Sequence, residues 1–175
     1  MFGFKRRRRE KLREQAFPEA WLEVLRRNVP HFGRLEETER KELLGHIHVF
    51  LGEKHFEGCG GLELTDEIRL TVAGHACVLL LNRETDYYPR LDTVLVYPQS
   101  FVVDTTVDHV GEFALEGEEV RDGEAWQRGV VILAWDGVLH DARTGHDGFN
   151  VAFHEFAHQL DMENGEADGC PELES

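Results

Sequence analysis

Toward the end of the chain His154 and His158 flank Glu155 in the run His154-Glu155-Phe156-Ala157-His158. On an α-helix, residues four apart lie ~40° apart around the axis and ~6 Å along it, so the two imidazoles would converge on one point. Two imidazoles are two of the ligands of a tetrahedral zinc. Glu155, next to the first of them, is within reach of a water on that ion and has the chemistry of a general base, while the ion polarises a scissile carbonyl. Together these groups are what hydrolysis of an amide requires. The spacing alone is not decisive, because a chain with 10 His among 175 residues meets it by chance about 0.07 times. The apolar residues Val151, Ala152, Phe153, Phe156, Ala157 and Leu160 around the motif make a helix the natural carrier.

A zinc peptidase needs a third protein ligand. The metzincin layout would place Gly at 161 and His at 164, but the chain has Asp161 and Asn164. Asp161, seven residues after His154, shares its helical face and is a candidate to orient a ligand from behind; an Asp with a local role in the last turn is the equal alternative. Glu163 falls on the opposite face. His140 and His146 precede the helix in a stretch that reads as a loop, and the acids after 163 follow in a polar tail.

Several elements must position this helix. Pro18 opens a predicted helix carrying Trp21, Leu22, Leu25 and Val29; a second runs over 36–52, and Thr65 caps a third over 68–81. Strands are expected at 93–97, 101–103, 110–115 and 129–135, with a loop over 136–148 and the metal helix over 151–161. Helices, then strands, then a helix describe an α+β fold with a small mixed or antiparallel sheet covered on one face by the N-terminal helices. The strand over 129–135 is a candidate to pair with an extended substrate backbone, or else a central core strand.

The block Gly148-Phe149-Asn150-Val151 through His154-Glu155-Phe156-Ala157-His158-Gln159-Leu160-Asp161, followed by Asn164-Gly165 and Asp168-Gly169-Cys170-Pro171, resembles the Mlc titration factor A family of zinc metallopeptidases. So do Val96-Tyr97-Pro98 with Phe101-Val102-Val103, and Gly123-Glu124-Ala125-Trp126 with Gly129 through Trp135. The resemblance runs from about residue 17 onward. It implies a zincin-like domain with Zn2+ held by His154 and His158, and Glu155 as the catalytic base. It also implies a third ligand, a glutamate several dozen residues downstream and so expected beyond Ser175, and a downstream tyrosine that would stabilise the transition state. Two family activities follow: aminopeptidase-like hydrolysis, and capture of the glucose repressor Mlc by enterobacterial members. A truncated, inactive remnant is a third reading of the chain.

Composition bounds the partners. With 34 acidic against 19 basic side chains the net charge is −15, yet residues 1–14 hold seven Lys/Arg and two Glu. A basic arm over 1–16, expected to be disordered, therefore precedes a strongly acidic body over 17–175, expected to be one C-terminally incomplete catalytic domain. Such a body repels a phosphate backbone, which leaves a peptide substrate or a repressor protein as partner and disfavours direct DNA binding. No apolar run reaches the ~20 residues of a membrane span and no secretory signal is present, so no membrane partner and a cytoplasmic location are expected. Cys59, Cys77 and Cys170 form no C-x-x-C pair, and a disulfide framework is not expected.

Overall fold

The computed structural model describes residues 2–99, 129–144 and 151–163. Along the chain come α1 (Phe2–Arg13), α2 (Glu19–Asn28), a 3-10 turn (Pro30–Arg34), α3 (Glu37–Glu53), β1 (His55–Gly58), α4 (Asp66–Val78), β2 (Thr93–Tyr97), β3 (Val130–Ala134), α5 (Trp135–Thr144) and α6 (Val151–Glu163). This mixture of helices with a small sheet is consistent with α+β. The strands pair in the order β1-β2-β3.

The sheet corrects one expectation. Both described pairings are parallel, with His55 opposite Thr93 and Thr93 opposite Val130, so the described sheet is not mixed or antiparallel. Parallel neighbours need a crossover, and α4 supplies it between β1 and β2. The expected strands over 101–103 and 110–115 lie outside the described residues. Val94, Val96, Val131 and Leu133 alternate along β2 and β3 and are buried, so this face of the sheet enters the core.

Local chemistry explains the helices. Thr65 caps α4 by accepting from the Ile68 N–H at 3.3 Å, and Asp66 and Glu67 sit in the first turn where the helix dipole favours acids. A capping box between Glu36 and Glu39 starts α3. The 136–148 stretch, expected as a loop, is corrected over its first part: α5 runs to Thr144 and buries Val138 and Ala142, four residues apart on one face.

Residues 2–13 correct another expectation, for they form a docked helix and not a disordered arm. Arg, Lys, Glu and Leu are good helix formers, and Arg6 pairs with Glu10 one turn on at 3.1 Å. Arg9 grips Glu53 with two hydrogen bonds of 2.7 and 2.9 Å and reaches Asp86 at 2.6 Å. Arg13 donates to the Tyr87 hydroxyl, which also bonds to His46 Nδ1 at 2.8 Å. Close approach of α1 to α3 depends on Gly52, where a Cβ would stand 3.0 Å from Leu12 Cδ1.

The core lies where α2, α3 and α4 meet the sheet and α6. His75 is fully buried in it, against the Phe153 ring at 5.1 Å, and burial, reinforced by the charge of His31 and opposed by the Asn28 backbone, pushes its pKa down to about 4. The unfolded chain protonates near the ordinary value of ~6.5, so below that pH it binds a proton the folded chain refuses. Stability is therefore expected to fall as pH drops from ~6.5 toward 4, by about 3 kcal/mol from His75 alone. Burial depresses His46 and His48 in the same direction. Urea unfolding at a series of pH values checks this; a His75→Phe variant should show a shallower slope, and a flat profile in the parent would contradict it.

Candidate metal centre

α6 is amphipathic in a way that separates packing from chemistry. Ala152, Phe156 and Leu160 recur every four residues and are buried, the first two completely. Phe156 anchors the helix: its ring meets Phe50 edge-on at 5.8 Å and Tyr88 at 5.4 Å. Tyr88 is itself held by its hydroxyl, which donates to the Ala76 carbonyl at 2.6 Å. One turn earlier, Phe153 sits between the rings of His31 at 4.9 Å and His75 at 5.1 Å.

Positions 154 and 158 fall ~200° from Phe156 and so emerge on the far side of the helix. His154 is exposed and His158 half-buried. Their Nε2 atoms approach to 2.9 Å with the rings nearly perpendicular. A tetrahedral zinc at the usual bond length of ~2.05 Å would hold two such nitrogens ~3.3 Å apart, so a side-chain adjustment of about 0.4 Å converts the contact into two ligands. The donor set also suits the ion, because neutral imidazole is zinc's commonest nitrogen ligand and each ring can carry its proton on Nδ1 and direct the Nε2 lone pair outward. These two residues fit a metal.

Glu155 lies beside them and is only 9% exposed. Asp161 is buried and makes no hydrogen bond or ion pair among the described residues, so a direct orienting bond to either imidazole is not formed. Glu163 falls on the opposite face, as its spacing predicts: its Oε1 is buried without a hydrogen-bond partner among the described residues, and burial raises its pKa against the opposing charge of Arg83. His140 stands on α5 and not in a loop, while His146 lies outside the described residues. Among the described residues no group of three or more His, Cys, Asp or Glu could hold a metal, so His154 and His158 form a pair.

Residues 4–175 match the sequence profile of the glucose-regulated metallo-peptidase M90 family. The chain belongs to that family. Its relatives include the uncharacterized protein slr2042 of Synechocystis, 42% identical over 167 residues, which cover 95% of this chain and 61% of that protein. Mlc titration factor A of Klebsiella pneumoniae strain 342 is 33% identical over 146 residues, 82% of this chain and 54% of its own length. The Yersinia enterocolitica protein of the same name is 32% identical over 158 residues, 87% and 56% respectively. The family resemblance read from the motifs therefore holds. The chain spans 54–61% of the length of these curated relatives. Family membership in M90 makes the chain a relative of metallopeptidases and implies a metal cofactor, with zinc the ion that the His pair suits.

The residues that seat α6 carry no local signal in the sequence. Tyr88 and His75 come from segments roughly 65 to 80 residues away in the chain, and only contact in the fold reveals them. Phe156 and Phe153 were visible as apolar positions within the motif, without the partners that make them anchors.

Proposed function

We propose that the chain carries the metal-holding and proton-transferring part of a zinc-dependent peptidase. The observation that carries this reading is the convergence of His154 and His158 Nε2 atoms, 2.9 Å apart on the outer face of α6, with Glu155 beside them. His154 and His158 hold Zn2+, and the third ligand, by family resemblance, is a glutamate expected beyond Ser175. When bound, the ion supplies Lewis acidity toward a peptide carbonyl and lowers the pKa of a water toward neutrality. A Glu155 carboxylate oxygen takes the proton from the attacking water and then delivers it to the departing amine nitrogen. Asp161, without a bond to either imidazole, would act by shaping the last turn of α6. Aminopeptidase-like cleavage and a cytoplasmic setting belong to this proposal through the family resemblance.

β3 supports a place for the substrate. It pairs with β2 and, among the described residues, with no other strand, and α6 packs against it. An extended peptide can add to such an edge through main-chain hydrogen bonds.

One observation favours a second activity in the same protein. Several relatives bear the name Mlc titration factor A, and the acidic body offers a surface complementary to a basic protein partner. We propose capture of a repressor of the Mlc kind as the alternative to, or companion of, peptide hydrolysis. The Glu155→Gln exchange tests the leading reading, since it removes the base and leaves both imidazoles in place.

A further inference from the structure

Folding consumes only part of the cationic run in α1. On the inward side Lys5 and Arg9 pair with Asp86 and Glu53, Arg8 donates to the Gly52 carbonyl, and Arg13 holds Tyr87. Arg6 reaches no further than Glu10 in its own helix and leaves its side chain 84% exposed. Arg7 and Lys11 make no hydrogen bond or ion pair among the described residues. Phe4, Arg7 and Lys11 stand at i, i+3 and i+7, so they form one ridge along the outward side of the helix. At the start of this ridge Phe4 is 81% exposed; Phe2, ~160° away around the axis at the first residue of the helix, is 94% exposed. Two unburied aromatic rings in a first turn, with the unpaired Arg7 and Lys11 one and two turns beyond Phe4, lie on a chain whose remaining residues are strongly acidic.

We propose that α1 is a peripheral membrane contact, which lays its Phe4-Arg7-Lys11 ridge on an anionic lipid surface with Phe4 in the boundary between headgroups and acyl chains. Interfacial helices combine these two features: aromatic side chains that leave water for the boundary, and Lys/Arg that meet anionic headgroups. Charge complementarity selects this occupant, because Arg7, Lys11 and Arg6 present positive charge away from the acidic body. The same cations could meet nucleic acid. That partner would leave the Phe4 ring in water or demand an unstacked base, and the rest of the chain would repel its neighbouring phosphates. No helix among the described residues is long and apolar enough to cross a membrane, and a surface contact needs none. The proposal is independent of the peptidase reading, since neither metal nor Glu155 takes part.

The test is co-sedimentation of the full-length protein with vesicles of phosphatidylglycerol and phosphatidylcholine, beside vesicles of phosphatidylcholine alone. Binding is expected on the anionic vesicles only, weakening as salt rises from about 0.1 to about 0.5 M. Two double variants, Phe2→Ser/Phe4→Ser and Arg7→Glu/Lys11→Glu, should each lower the bound fraction about tenfold or more. All four positions are exposed, and unchanged circular dichroism would show that the fold is kept. Absence of binding to anionic vesicles would overturn the proposal, as would binding that neither variant weakens. Preferential binding of a duplex DNA oligomer, lost with Arg7→Glu/Lys11→Glu and indifferent to Phe2→Ser/Phe4→Ser, would assign the ridge to nucleic acid instead.

Discussion

Glu155→Gln is expected to lower peptide hydrolysis by about 10²- to 10⁴-fold, the usual worth of a positioned general base. The exchange is nearly isosteric and keeps a hydrogen-bonding amide at a site that is 9% exposed, so the fold should persist. Glutamine cannot accept the proton from water, which isolates the step under test. Both imidazoles remain, and zinc content should be that of the parent. Capture of a repressor protein, if it uses a surface away from α6, should be unaffected. Rates of peptide hydrolysis, zinc content and repressor binding measured side by side on the full-length protein separate the readings. Unchanged hydrolysis would remove Glu155 from the mechanism. Equal loss of hydrolysis and capture would tie both to one set of residues.

The second large effect is on stability. Phe156 is completely buried and joins the metal helix to α3 and to the segment before β2 through Phe50 and Tyr88. Phe156→Ala removes this ring and leaves a cavity between elements that cannot collapse freely, at a cost of about 3–5 kcal/mol. In a chain of this size that lowers Tm by roughly 6–20 °C. Phe156→Leu keeps most of the volume and should cost much less. Thermal unfolding of the two variants checks the ranking; a loss below about 1 kcal/mol for the alanine variant would mean that α6 is anchored elsewhere.

What the sequence disclosed follows the range of the interactions. The metal helix was legible because Ala152, Phe156 and Leu160 mark one face while His154 and His158 mark another, all within three turns. α3 falls within a residue of its expected bounds for the same reason. α1 reads as a disordered arm in the sequence because its anchors, Glu53, Asp86 and Tyr87, lie 44 to 77 residues away. Read alone, Lys5 to Arg9 is a solvated charge run. α5 was hidden by Asp136 and Gly137, which read as a break, although Val138 and Ala142 carry the four-residue spacing of a buried face. β1 is only four residues long, too short for its alternation to stand out, and the direction of strand pairing depends on the α4 crossover. In the candidate site, the His154 and His158 pair is visible from spacing. The buried neighbours of its helix, His75 and Tyr88, could be found only in three dimensions.

If His154 and His158 hold the metal, zinc content per chain depends on both of them. The full-length protein is purified without added chelator and compared with its His154→Ala and His158→Ala variants by elemental analysis, with circular dichroism to confirm that each is folded. One zinc per parent chain is expected, with loss of most of it in either variant, because removal of one of so few ligands opens the site. Folded variants that retain zinc at the parent's level would contradict it.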